Sequence, residues 1–378
     1  MQHRWDIFCT VVDNYGDIGI CWRLAKQLTQ DHRQAVRLWI DDLQSFSRIA
    51  PDVKPGVQQQ SIQGIEINQW RTVFPEVEPA DVVIEAFACE LPDTYIAAML
   101  RKKKPPVWIN LEYLSAEPWV VDYHSLPSPH PRFPLTKTFF FPGFVPGSGG
   151  LLREKHLMAQ REAFDAAAEQ AFLHRHALLA RRPHQLRVSL FCYGSAPVEG
   201  LIHLLSESAV PVLLIVPQGN AAERIATLLD HATVGFEGLL EQKQLTVQII
   251  PFMAQTDYDR LLWSCDINFV RGEDSFVRAQ WALNPFVWNI YPQAEDAHWK
   301  KLYAFLDLYT ANMPPETASA VRTLWLCWNG ANEINNAAWM NFLELRESLT
   351  QCNKNWVRRL SEQTDLASNL VQFTENQL

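Results

Sequence analysis

Apolar residues fall in short unbroken runs along this chain, and most runs are followed by a stretch whose apolar positions recur every three or four residues. In the first half the runs are 5–12, VRLWID at 36–41, DVVIEAF at 81–87, VWINL at 107–111 and TFFF at 138–141. In the second half they are LRVSLFCY at 186–193, VPVLLIVP at 210–217, LTVQIIPF at 245–252, CDINFV at 265–270 and FVWNIY at 286–291. Runs without polar alternation suit strands covered on both faces, as in a parallel sheet. Helical spacing appears at 18–30, 197–207, 220–230, 255–264 and 274–283. Strand and helix thus alternate in two series, which predicts an α/β protein of two Rossmann-like, doubly wound domains facing each other across a cleft.

The Pro/Gly loop FPGFVPGSGGLL at 141–152 marks the division, and 153–180, rich in Ala, Glu and Gln, predicts a long helix. The expected domains are 1–180 and 181–354, with a helical pattern at 355–373 in a C-terminal segment, 355–378, that packs back on the first. At 378 residues, two domains are the ordinary expectation.

Charge narrows the class. A formal net charge of −9 offers no basic surplus to neutralise phosphates along a nucleic acid. No window approaches the ~18 apolar residues that read as a membrane span, and the N-terminus lacks the features of a secretory leader. The seven cysteines are scattered without CxxC spacing, which fits reduced thiols in a cytoplasmic protein and not a zinc site.

Ligands of open α/β sheets sit beyond the carboxyl ends of the strands. Four such ends carry candidate chemistry. At 269–282, FVRGEDSFVRAQWA, Gly272 permits a tight turn, Asp274 or Ser275 can cap the following helix, and its first N–H groups suit a diphosphate. Arg271 is available as a cationic clamp and Glu273 as acceptor from a ribose diol. The plainer alternative, a capped turn with a solvated acid, stands beside this. Phe252 can stack on a nucleobase and the Gln255 amide can read a pyrimidine edge. Phe191 and Tyr193 follow another strand, where aromatics are more often core. The fourth end is DNYGDIG at 13–19, which looks like a phosphate loop yet carries Asp13 and Asp17 and no cation. Capping accounts for Asp17 but leaves Asp13 without a partner, and a cationic or hydroxylic substrate would supply one. His124, His130 and His298 stand alone and read as structural. No GxGxxG follows a strand, which removes the usual dinucleotide fingerprint.

DNYGDIGICWRLAKQL at 13–28 followed by RGEDSFVRAQWA at 271–282 and PFVWNIYPQ at 285–293 resembles EarP, the protein-arginine rhamnosyltransferase family that acts on bacterial elongation factor P. The resemblance covers essentially the whole chain. It implies an inverting glycosyltransferase of GT-B architecture that moves L-rhamnose from dTDP-β-L-rhamnose to one arginine of the factor, serving translation of polyproline stretches. No metal or cofactor is implied beyond the donor. It also implies an acceptor site at Asp13, Asn14, Tyr15, Gly16 and Asp17, with Asp13 and Asp17 at the reaction centre and the proton-taking aspartate left open. It places Arg271, Gly272, Glu273, Asp274 and Ser275 at the ribose and diphosphate, Phe252 and Gln255 at the thymine, and Phe191 and Tyr193 along the donor pocket. A nucleotide-sugar transferase with a small-molecule acceptor is the enzymatic alternative, and a non-catalytic partner of the factor is the binding alternative.

Overall fold

The computed structural model describes residues 2–12, 15–229 and 238–378. The chain divides into two compact units, Met1–Lys155 with Leu360–Leu378, and His156–Arg359. The first is built on an eight-stranded sheet of β1 (Arg4–Cys9), β2 (Ala35–Ile40), β3 (Gln59–Ile62), β4 (Ile65–Gln69), β5 (Val82–Ala86), β6 (Val107–Leu111), β7 (Pro127–Pro129) and β8 (Thr136–Phe140). Their order is β3-β4-β2-β1-β5-β6-β8-β7, parallel except for the antiparallel partners β3 and β7 at the two edges. The central strands are apolar because both faces are covered: every residue of β5 and of β6 is buried.

Among the described residues the second unit holds six strands: β9 (Leu186–Leu190), β10 (Val212–Pro217), β11 (Gly238–Gln242), β12 (Leu245–Ile250), β13 (Ile267–Arg271) and β14 (Phe286–Asn289). Their order is β11-β12-β10-β9-β13-β14, with only β11 antiparallel. The expected alternation is present in both units, and the helices at Gly16–Gln30, Val198–Ser206, Asn220–Leu228, Gln255–Ser264 and Asp274–Trp281 fall where the spacing places them.

Two stretches differ from the sequence expectation. Residues 153–180 do not form one long helix: they give short helices at Leu157–Glu162 and Ala166–Arg175. The break lies where the Asp165 side chain accepts from Ala168 N and starts the second helix. Phe172 and Leu173 of that helix pack with Leu213, Ile215, Ile250 and Leu261. Burying that face ties the segment to the second sheet, so the division falls at Lys155 and not at residue 180. Near the C-terminus, a helix at Arg346–Ser361 ends and another, Leu366–Glu375, begins after Asp365, whose carboxylate accepts from Ser368 N at 3.0 Å. Leu366 N donates to Leu151 O at 2.9 Å and Gln27 Nε2 to Asp365 Oδ1 at 2.8 Å, which anchors this last helix in the first unit.

Candidate active site

In the second unit the expected donor residues lie at the carboxyl ends of β9, β12 and β13, on one edge of the sheet. Strand β13 ends at Arg271, and Gly272, at φ 61°, turns the chain into the helix Asp274–Trp281. That left-handed value is what glycine adopts without strain. Trp288 Nε1 donates to Gly272 O at 2.8 Å and pins the turn to β14. The Arg271 guanidinium lies over the rings of Phe191 and Tyr193, 4.3 and 4.7 Å from their centroids, and its Nη1 donates to Cys192 O at 3.2 Å. The loop after β9 therefore holds the cation in place before any ligand arrives.

Phe252 follows β12 and meets Phe191 edge to face at 5.9 Å. Gln255 opens the next helix, buried, and its Nε2 donates to Asp274 Oδ2 at 3.1 Å. Ser275 does not cap the helix through its side chain. Its hydroxyl accepts from Arg271 N at 3.1 Å and donates to Arg271 O, closing the turn on itself. Asp274 is the helix's first residue and Glu273 its N-cap position, where no side chain caps the helix. Both acids therefore stand at the positive end of the helix dipole.

Four residues of this edge were not singled out from the sequence. Asn289 Oδ1 accepts from Tyr193 N at 2.8 Å, and Tyr291 packs edge to face on Tyr193 at 5.2 Å. Arg224 forms a two-pronged pair with Glu199, both contacts at 2.7 Å, while its Nη1 donates to Gly194 O at 2.8 Å, so it braces the same loop. Tyr258 lies beside Phe191, and burial with the nearby Asp274 charge keeps its phenol protonated. The WNIY run at 288–291 was the available signal for Asn289 and Tyr291, since it too ends a strand of this sheet.

At the carboxyl edge of the first unit, Asp17 sits in the first turn of the helix Gly16–Gln30 and is buried. Its Oδ2 accepts from Val12 N at 2.8 Å, so the carboxylate reaches back to the end of the strand segment and is fixed there. Tyr15 occupies the N-cap position without a side-chain cap, and its hydroxyl accepts from Arg48 Nη1 at 3.0 Å. Gly16 is the helix's first residue. Asp13 and Asn14 lie outside the described residues.

The nearby thiols are not poised as nucleophiles. Cys9 is pushed well above its ordinary value by its hydrogen bond to Cys21, by burial and by the Asp17 charge. Beside the other site, burial pushes Cys192 up to about 12. The three isolated histidines hold backbone: His124 Nδ1 accepts from Phe141 N, His130 Nδ1 from Arg132 N and Phe133 N, and His298 Nδ1 from Gln293 N. Burial also lowers the His124 pKa, which keeps that ring neutral. Among the described residues no three His, Cys, Asp or Glu side chains are grouped to hold a metal ion, and no helix is long and apolar enough to cross a membrane.

In the second unit, a cation clamped on aromatics beside a helix start suits an anionic group. In the first unit, the fixed Asp17 carboxylate suits a cationic one. Residues 5–375 match the model of the EarP family, described as elongation-factor P (EF-P) rhamnosyltransferase. A protein-arginine rhamnosyltransferase of Pseudomonas aeruginosa is 47% identical over 98% of both chains, and one of Pseudomonas putida is 46% identical over the full length of both. A solved structure concerned with EarP-mediated arginine glycosylation of translation elongation factor EF-P covers both chains completely, at 35% identity and a TM-score of 0.70. A more distant likeness, 14% identity and a TM-score of 0.52 over 99% of this chain and all of the other, is to a spinosyn rhamnosyltransferase complexed with thymidine diphosphate, and it speaks to the shared GT-B fold. On its sequence over nearly every residue and on its two-unit fold, this chain belongs to the EarP family of EF-P rhamnosyltransferases.

Proposed function

We propose that this protein transfers L-rhamnose from dTDP-β-L-rhamnose to an arginine side chain of EF-P with inversion at the sugar. The observation that carries the reading is the Arg271 guanidinium, fixed over Phe191 and Tyr193 at the mouth of a helix that starts without a side-chain cap. A diphosphate is the ligand such a seat favours. Phe252 and Gln255 are assigned to the thymine, Phe191 and Tyr193 to the pocket wall, Glu273 to the ribose, and Arg271, Gly272, Asp274 and Ser275 to the ribose–diphosphate turn. Asp274 is occupied by Gln255, and Ser275 by the Arg271 backbone, so both act by holding the turn in shape.

An arginine guanidinium, with pKa above ~12, is a weak nucleophile until relieved of a proton. We assign that proton to Asp17, with Asp13 orienting the acceptor beside Asn14, Tyr15 and Gly16. The guanidinium nitrogen attacks the anomeric carbon on the face opposite the diphosphate. The new C–N bond forms, the C–O bond to the diphosphate breaks with its electron pair leaving on dTDP, and the carboxylate takes the nitrogen's proton. Arg271 and the helix start meet the charge that develops on the leaving group. The donor is the sole co-substrate in this scheme, and the reaction takes place in the cytoplasm.

The test is to incubate the protein with dTDP-β-L-rhamnose and EF-P, with and without EDTA, and to weigh the factor. A gain of one deoxyhexose on arginine in both reactions is expected. An unchanged factor overturns the assignment of substrates, and a gain lost with EDTA overturns the metal-free scheme.

A further inference from the structure

The carboxyl edge of the first sheet carries a second built feature besides Asp17. Strand β5 runs into two consecutive non-glycine residues in the left-handed region, Phe87 at φ 55° and Ala88 at φ 54°. A bulky residue there is uncommon, and such backbone concentrates at functional sites. Phe87 N still donates to Leu111 O at 2.7 Å, so the turn changes the direction of the ring without releasing the strand. The Phe87 ring lies on Tyr113, 4.5 Å between centroids and 20° between planes. Neither ring is buried in the core.

Glu112 precedes Tyr113 at the end of β6. Its backbone N donates to Phe140 O at 2.9 Å, and Asn110 Nδ2 donates to its Oε1 at 2.5 Å. The first bond fixes the backbone and the second orients the carboxylate, while the residue stays half-buried. Burial holds the carboxyl above its ordinary range, against the pull of Asn110, the Tyr113 N–H and Lys137, with Glu85 adding to the rise. Strand β5 lies between β1 and β6, so this edge is two strand spacings, about 10 Å, from the strand that leads to Asp17. A planar aromatic stack beside an oriented carboxylate matches a guanidinium on both its surfaces: the face stacks and the N–H edge pairs.

We infer that Glu112, Phe87 and Tyr113 form the seat that receives the arginine of the acceptor protein and distinguishes it from lysine. This rests on the acceptor being an arginine, as proposed above. The rings take the guanidinium plane, Glu112 takes its N–H edge, and Asp17 meets the reacting nitrogen. A lysine ammonium has no plane to stack and no fork to pair, so it would be bound poorly by the same groups.

A double-mutant cycle on the full-length protein tests this. Wild type, Glu112→Gln, Tyr113→Leu and Tyr113→Phe are titrated with EF-P and with EF-P whose acceptor arginine is replaced by alanine. The wild type is expected to bind the arginine form at least tenfold tighter. Glu112→Gln and Tyr113→Leu are expected to bind both forms within twofold of each other, while Tyr113→Phe, which keeps the stack, behaves as wild type. In turnover, the KM for EF-P rises at least tenfold in the first two variants, and their affinity for dTDP-β-L-rhamnose stays unchanged. A Glu112→Gln protein that still prefers the arginine form tenfold overturns the seat. A wild type that binds both forms equally overturns the arginine-acceptor reading itself and the seat with it.

Discussion

The Arg271 guanidinium carbon stands 4.3 Å from the centroid of the Phe191 ring, with Nη1 on the Cys192 carbonyl at 3.2 Å. These two contacts come from the loop after β9, while Arg271 itself ends β13, so the neighbouring strands hold the cation at a fixed height above the sheet edge. Pre-organisation of this kind lowers the entropic cost of binding an anion.

Arg271→Ala should therefore weaken donor binding directly. The loss expected for a charge-assisted contact is about 1.5–3 kcal/mol, a factor of ten or more in Kd. Arg271→Lys keeps the charge but loses the flat fork, and should recover only part of it. Calorimetric titration with dTDP-β-L-rhamnose measures both. A Kd within twofold of wild type for Arg271→Ala would place the clamp elsewhere.

Asp17→Asn should separate chemistry from binding. The asparagine carbonyl can still accept from Val12 N, so the local turn is preserved while the proton acceptor is lost. Turnover is expected to fall by about 10²–10⁴, with donor affinity unchanged. Single-turnover mass analysis of EF-P reads the first and titration the second. Substantial residual turnover would move the base to another group.

Much of this was legible in the sequence because parallel strands covered on both faces leave unbroken apolar runs, and ligand chemistry gathers where those runs stop. Phe191, Phe252 and Arg271 could be read that way. The edge strands β3 and β7 could not: QQSI and PSP are short and mostly polar or exposed, with nothing to bury. The pairing of Gln255 with Asp274, and of Asn289 with Tyr193 N, was also hidden. Those contacts join residues at the ends of strands that are not adjacent in the sheet, β12 with β13 and β14 with β9, which local pattern does not encode. The break before Ala166–Arg175 did carry a signal, Asp165 ahead of an Ala-rich stretch, which the length of the helical pattern outweighed.

Asp42 makes the short helix Leu43–Ile49 sensitive to acid. Its Oδ1 accepts from Gln44 N at 2.9 Å and Ser45 N at 3.0 Å, and its Oδ2 from Ser45 Oγ at 2.5 Å. Burial raises the Asp42 pKa, but these bonds and Arg48 outweigh it, so the group is more acidic in the folded protein than in the unfolded chain. A depressed folded pKa means that the stabilisation is present above the unfolded value, ~3.9, and is lost as pH falls through the folded one. Asp42→Ala should cost about 1 kcal/mol of helix stability at pH 7. Amide exchange at Phe46 and Ala50 should quicken accordingly. The same amides in wild type should lose protection below pH 4 relative to Asp42→Asn, and parallel profiles for the two proteins would contradict the assignment.

Gly150 controls how the chain's end is held in the first unit. It adopts φ 78°, and a Cβ there would run into the Thr364 carbonyl, with Asn369 Nδ2 only 3.2 Å away. Thr364 leads into the helix Leu366–Glu375, which is tied to the same loop by Leu366 N on Leu151 O at 2.9 Å and Asn369 Nδ2 on Gly149 O at 3.0 Å. Gly150→Ala combines left-handed strain of ~1–2 kcal/mol with overpacking of ~1–3 kcal/mol, and the carbonyl it strikes is backbone that cannot rotate away. The expected result is a loss of about 2–4 kcal/mol in the attachment of the last helix. Limited proteolysis should then cut near residues 362–366 far faster than in wild type. Gly150 belongs to the first unit and the assigned donor residues to the second, so titration with dTDP-β-L-rhamnose should remain normal. A variant with unaltered proteolysis would show that the loop yields without strain, and one with impaired donor binding would show that the helix's attachment matters beyond its own unit.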